Sequence, residues 1–277
     1  MKQFINKAKR FNRWRRERGL WTTAGVAVST LAGMAWYKFW DVWHGVETSK
    51  EVAFRELDYQ IDVYGPNREQ YLYPGWNGDY TPSSDKFAER LRSLNLDWKR
   101  FVYVDLGSGK GKTLLMAAEL PFRKVIGIEL SQTLADVARR NLRDARNFNR
   151  QCKDIEVIWG DATAFEYPEG PLVLYTLNSF PAPIMQRVLE NLRQSLEENP
   201  RETYFIVTAI TPPVAKQFAD YSYFDLIDSS SGHKTYRADL KALGRLVTTP
   251  MPSTHSPTDT SAQTPPSQPP GNRDSSF

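Results

Sequence analysis

Cysteine is all but missing from these 277 residues. The one present, Cys152, rules out an internal disulfide and suits a reducing compartment. It lies in a charged stretch and reads as an incidental thiol. Histidine is nearly as scarce. His44, His233 and His255 are scattered, no two at ligand spacing, so no metal site is expected. No internal repeat is evident. Net positive charge is also lacking over most of the chain, although the total is +4. Residues 1–18 hold eight lysines and arginines against Glu17, a local +7 that leaves −3 on the remainder. The basicity belongs to an arm, and the body is mildly acidic. The 40% hydrophobic and 25% charged residues leave an ordinary globular body.

Leu20–Tyr37 follows the arm without a charge, and Trp21, Trp36, Trp40 and Trp43 flank it. Its length and flanks resemble a membrane span with the basic residues on the cytoplasmic side. Ser, Thr and Gly dilute it, so an amphipathic or surface-packed helix fits as well. Clustered Lys and Arg bind phosphate without sequence preference, which suits nucleic acid or an anionic membrane. Adjacency to the apolar stretch favours the membrane, met through residues 1–44, and nucleic acid is not the expected partner. The expected location is the cytoplasm, with membrane association through this segment.

The chain divides into a basic arm (1–19), an apolar helix (20–44), an irregular cap or lid (45–84), a regular domain (85–247) and a tail (248–277). The tail is Pro, Ser, Thr and Gln with almost no apolar residue, and disorder is expected there. The regular domain opens with a helix capped by Asp85. Strands are then expected at Phe101–Asp105, Lys124–Glu129, Ile155–Trp159, Leu172–Leu177 and Thr203–Ala209. Helices are expected at Lys112–Leu120, Ser131–Phe148 and Pro183–Glu198. Tyr223–Asp228 and Lys234–Ala238 flank Ser229–Gly232 as a closing antiparallel hairpin. Repeated strand–helix units predict an α/β fold: a mostly parallel, doubly wound sheet covered by helices.

Between the first strand and its helix runs Asp105-Leu106-Gly107-Ser108-Gly109-Lys110-Gly111-Lys112-Thr113. Glycines permit a tight turn and close approach of a ligand to backbone. In open α/β sheets small molecules bind there, outside the carboxyl ends of the strands. Gly111-Lys112-Thr113 imitates the end of a phosphate-binding P-loop, but Leu106 stands where that motif needs its first glycine. A dinucleotide fingerprint needs glycine where Lys112 stands. The S-adenosylmethionine (SAM) loop, acid-x-Gly-x-Gly-x-Gly, matches at Asp105, Gly107, Gly109 and Gly111. A glycine turn without a ligand stays open. Glu129 ends the second strand, where a carboxylate can accept both hydroxyls of a ribose. Asp161 follows the third, where it can accept an adenine amino group while the Ala162 amide reaches the ring. Either acid could also just cap a turn.

Asp105–Gly111, Val125–Glu129 and Gly160-Asp161-Ala162 resemble the successive motifs of class I, Rossmann-like SAM-dependent methyltransferases. Within that superfamily, Asp105–Gly111 with Pro121–Gly127 is similar to a bacterial group of unassigned substrate. The resemblance spans His44-Gly45-Val46-Glu47-Thr48 through the hairpin. It implies a seven-strand sheet, SAM as methyl donor, and Asp105, Gly107, Glu129 and Asp161 as cofactor contacts, with Ser108, Gly109, Gly111 and Ala162 beside them. A more distant similarity is to seven-strand protein lysine methyltransferases. Tyr80-Thr81-Pro82 lies where those enzymes carry a loop over SAM, and Asn178-Ser179-Phe180 where they and amino-group DNA methyltransferases carry Asn motifs. The DNA enzymes have two prolines after the Asn or Asp, and Ser179 and Phe180 depart from that. The expectation is therefore methyl transfer to a nitrogen such as a protein lysine. Asn178 would orient the acceptor, and Phe180 and Tyr80 would wall its channel. A small-molecule or lipid acceptor, or a SAM-binding module without turnover, stay as alternatives. The acceptor itself is not written in the sequence.

Overall fold

The computed structural model describes residues 37–50, 52, 86–230 and 232–242. The basic arm, residues 20–36, most of the cap with Tyr80 and Asp85, and the tail lie outside the described residues.

After a helical segment at residues 37–44, the regular domain begins with α1 (Lys86–Ser93) and alternates thereafter. The strands are β1 (Val102–Leu106), β2 (Lys124–Glu129), β3 (Ile155–Trp159), β4 (Leu172–Leu177), β5 (Thr203–Thr208), β6 (Phe224–Ser230) and β7 (His233–Ala238). The remaining helices are α2 (Lys112–Ala117), α3 (Gln132–Asp144), α4 (Ala182–Glu198) and α5 (Pro212–Asp220). One seven-strand sheet runs β3-β2-β1-β4-β5-β7-β6. The first five strands of that order are parallel, and β7 and β6 close it antiparallel, with a bulge between Leu226 and Asp228. This is the doubly wound α/β fold the sequence predicts.

Period-two alternation makes the two cores. Val102, Val104 and Leu106 of β1 face Met185, Val188, Leu189 and Leu192 of α4. Tyr103, between them, faces the opposite layer, with Phe87 of α1 and Leu114 of α2. All five β1 residues are buried, because helices cover both faces of the central strand.

Several element ends differ from the sequence reading. Ser131 caps α3 as expected, its hydroxyl accepting from the Leu134 amide at 3.2 Å. The helix stops at Asp144 rather than Phe148, because Asn147 takes a left-handed conformation and the Arg146 amide turns to His44 O at 2.9 Å. α2 ends at Ala117, after which the amides of Glu119 and Leu120 bond three residues back before Pro121. α5 has no counterpart in the sequence reading. Its two opening prolines look like a breaker, but the first helical turn has no intrahelical use for their missing amide donors. The hairpin strands reach Ser230 and His233, shortening the expected turn. Cys152 is buried, and its Sγ approaches Asp154 O at 3.3 Å.

Candidate cofactor site

Chain order reverses on either side of β1, whose neighbours are β2 and β4. At such a switch point the loops at the carboxyl ends diverge and leave a crevice. The glycine loop begins there. The amides of Gly107 and Ser108 both donate to Ile128 O, at 2.9 and 3.0 Å, which stitches the loop onto β2. Gly107, Gly109 and Gly111 have φ of 87°, 53° and 79°, a region that side chains disfavour. At Gly107 there is also no room: a Cβ would lie 2.5 Å from Ser179 Oγ, in the turn after β4.

Three carboxylates surround this loop in different ways. Asp105 is fully buried. Its Oδ2 accepts from the Thr113 hydroxyl, and its Oδ1 has no hydrogen-bond partner. Burial pushes its pKa up to about 7, opposed by the Thr113 hydrogen bond and reinforced by the charge of Glu129. Glu129 is buried too. Its Oε2 accepts from the Gly109 amide at 2.8 Å, and its Oε1 from the Ser131 amide at 2.9 Å. A carboxylate has roughly four lone-pair sites, so these two amides do not exhaust it. Asp161 caps the short turn Ala162–Ala164, accepting from the Thr163 amide at 2.8 Å and the Thr163 hydroxyl at 2.7 Å. Ala162 is buried beside it. The Gly160 amide reaches Glu129 O at 3.0 Å, which brings the Asp161 turn to the end of β2.

The residues between the glycines point into the protein. Ser108 Oγ is buried without a hydrogen-bond partner, in space left by the missing side chain of Gly127. Lys110 and Lys112 are only 1% and 2% exposed. Lys110 Nζ donates to Glu47 Oε1 at 3.2 Å and Lys50 O at 3.0 Å. Lys112 Nζ stands over the rings of Tyr37 and Trp40, 4.3 and 4.5 Å from their centroids. The P-loop imitation is thereby accounted for: Lys112 meets aromatics and Thr113 meets Asp105, so neither is set to hold a phosphate. Sequence reasoning missed both lysines and Asn141, whose side chain bonds Lys110 O.

Asn178 follows β4. It is exposed and left-handed, with φ 46°, and its amide donates to Thr208 O at 3.0 Å. Ser179 packs toward Gly107, and Phe180 is partly buried against the β1/β4 core. The structure thus brings Asp105, the glycine loop, Glu129 and the Asn178–Phe180 turn to one end of the sheet. Tyr80 lies outside the described residues. Among the described residues no group of three or more His, Cys, Asp or Glu is placed to hold a metal.

SAM carries an ammonium, a sulfonium, a ribose diol and an adenine. A buried carboxylate oxygen without a partner, at Asp105, suits a cationic donor. Glu129, at the end of the neighbouring strand, suits the diol. The donor set fits the group.

Residues 104–199 match the family model described as a methyltransferase domain. Among solved structures, an RNA methyltransferase from Salinibacter ruber with S-adenosyl-L-homocysteine (SAH) is 19% identical, covering 57% of this chain and 92% of its own, with a TM-score of 0.41. The ribosomal protein L11 methylase from Lactobacillus delbrueckii subsp. bulgaricus is 17% identical, covering 55% and 75%, with a TM-score of 0.41. Magnesium protoporphyrin IX methyltransferase from Synechocystis with bound SAM is 13% identical, covering 56% and 76%, with a TM-score of 0.40. The matched family model, the strand order and the loop of three glycines between two strand-end acids agree, and the central part of this protein is a class I SAM-dependent methyltransferase domain.

Proposed function

We propose that this methyltransferase delivers its methyl group to a nitrogen, such as a protein lysine amino group, at the carboxyl end of β4. The observation that carries the reading is the placement of Asn178. An exposed side-chain amide stands at the turn whose next residue, Ser179, abuts Gly107 of the cofactor loop. On this reading SAM is contacted by Asp105, Gly107, Ser108, Gly109, Gly111, Glu129, Asp161 and Ala162.

When bound, SAM supplies an electrophilic methyl on a sulfonium, open to in-line displacement. The chain's own contribution is proximity and orientation. Asn178 Oδ1 accepts a hydrogen bond from the incoming nitrogen and aims its lone pair. That nitrogen must be neutral to attack, and an apolar surround lowers an amine's pKa. Phe180 forms one wall of the approach; Tyr80, expected from the sequence as the other, lies outside the described residues. Radiomethyl transfer from labelled SAM into a cell lysate tests this. A labelled protein band that disappears with Asn178→Ala, while the variant still binds SAH, supports it. Label in the organic extract makes the acceptor a small molecule or lipid. Full turnover by Asn178→Ala removes the orienting role.

One further observation favours attachment of the amino-terminal segment to a membrane surface. Phe39, Val42 and Trp43 are exposed on the helical segment 37–44, with the Phe39 and Trp43 rings stacked 6.3 Å apart. Exposed aromatic and aliphatic side chains, in a sequence that carries a basic arm upstream, suit an anionic bilayer interface. Among the described residues no helix is long and apolar enough to cross a membrane. Flotation of the full chain with anionic vesicles, lost on joint Phe39→Ser and Trp43→Ser substitution, is the expected result. Equal flotation of both proteins removes the reading.

A further inference from the structure

Three glycines within five residues make the cofactor loop costly to order, because glycine loses more backbone freedom than any other residue. Contacts from outside must hold it. Its first half is held by β2, through Ile128 O and Glu129. Its second half is held by residues far away in sequence. Asn141, buried on α3, donates from Nδ2 to Lys110 O at 2.8 Å. The same side chain accepts from the Glu47 amide at 2.9 Å and donates to Glu47 O at 3.3 Å. One carboxamide thereby joins the loop backbone to the backbone of the amino-terminal segment.

That segment is itself built for the purpose. Buried Asp41 accepts from the Thr48 amide and hydroxyl at 2.7 and 2.6 Å and from the Ser49 amide at 2.6 Å, folding residues 41–49 back on themselves. The His44 ring stacks on Phe148 at 3.9 Å, beyond the end of α3. The folded-back segment offers Glu47 and Lys50 O to Lys110, and Tyr37 and Trp40 to Lys112. The Lys110–Glu47 ion pair adds little alone, since the Glu47 side chain is more than half exposed. The buried bonds that end on backbone atoms carry the connection.

We infer that residues 37–50 are a working part of the cofactor site, with Asn141 and Lys110 as positioning residues that set the glycine loop. The inference rests on reading the loop as the SAM site. It assigns the amino-terminal segment a task beyond attachment: without it, the second half of the loop, around Lys110, loses its outside anchors.

The test uses the full-length protein and two variants. Asn141→Leu removes the carboxamide, and Lys110→Met keeps an unbranched stem without the ammonium. SAH is titrated calorimetrically, and amide exchange is followed by mass spectrometry. The expected result is about tenfold weaker SAH binding in each variant, the size of one lost buried hydrogen bond. Faster exchange should be confined to the loop and residues 44–50. A role in general stability alone would instead speed exchange across the domain and leave SAH affinity of the folded protein unchanged. Wild-type affinity and wild-type loop exchange in both variants overturn the inference. If the unaltered protein itself fails to bind SAH, the SAM reading falls, and loop exchange still decides whether the segment holds the loop. Lys110→Met decides the matter if Asn141→Leu does not fold.

Discussion

The Gly109 amide donates to Glu129 Oε2 at 2.8 Å, so the acid that ends β2 grips the loop that ends β1. Glu129 thus shapes the loop, and on the proposed reading it also receives the ribose. Glu129→Ala should lower stability by about 1–3 kcal/mol, since it leaves the buried Gly109 and Ser131 amides without an acceptor. It should weaken SAH binding by more than that loss of stability accounts for, while Glu129→Gln, which keeps one oxygen, falls between. Denaturant unfolding and calorimetric titration measure the two effects. Unchanged SAH affinity in Glu129→Ala removes the ribose role.

With SAM against Asp105, as proposed, cofactor binding should depend on pH. Its pKa rises from 3.8 to about 7, chiefly through burial. A group raised in the folded state contributes stability that is present below its ordinary value and lost as pH rises through the folded value. The cofactor-free protein should therefore lose this contribution between about pH 4 and about pH 7. A cationic ammonium beside Asp105 favours the ionised form, which reverses the trend for the complex. SAH should bind more tightly as pH rises through about 7, with release of a proton. Calorimetry in buffers of different ionisation enthalpy reads that proton. Asp105→Asn should flatten the profile, and an undiminished slope in that variant assigns the proton to another group.

Gly107→Ala should fail on two counts, because its φ is 87° and the new Cβ would meet Ser179 Oγ at 2.5 Å. The backbone part alone costs roughly 1–2 kcal/mol. Adding Ser179→Gly relieves the clash but not the dihedral. Chemical denaturation of the single and double variants should show partial recovery. Complete recovery shows that the backbone conformation costs nothing at this position.

Asn178 separates a structural from a functional role. At φ 46° an Asn is tolerated better than most residues, and Gly better still. Asn178→Gly should keep wild-type stability, whereas Asn178→Ala should lose up to about 1 kcal/mol. Both should lose methyl transfer if the carboxamide orients the acceptor. Transfer retained by Asn178→Gly shows that only the turn matters.

The strands and the glycine loop were legible because their signals are local. Leu172–Leu177 is a continuous apolar run, and the β4 it forms is buried between its neighbours. Ser131 sits one residue before a periodic helix and caps it. What escaped depends on contacts across long stretches of chain. Asn141 looks like any polar residue on a helix, and its importance comes from Glu47, 94 residues earlier. Lys110 and Lys112 read as exposed charges in isolation, and only the returning amino-terminal segment makes burial affordable for them. Asp161 was legible by its strand-end position, and its oxygens accept from the Thr163 amide and hydroxyl, the turn-capping contact that the sequence also allowed.

His44 meets Arg146 across 102 residues. During synthesis at roughly 5–20 residues per second, its docking partner trails it by roughly 5–20 s. For that interval Trp40 has emerged from the ribosome while Phe148, the ring it packs against beyond α3, does not yet exist. Whatever apolar surface the nascent chain encounters first, a chaperone or a bilayer, competes for Trp40 before the protein can claim it.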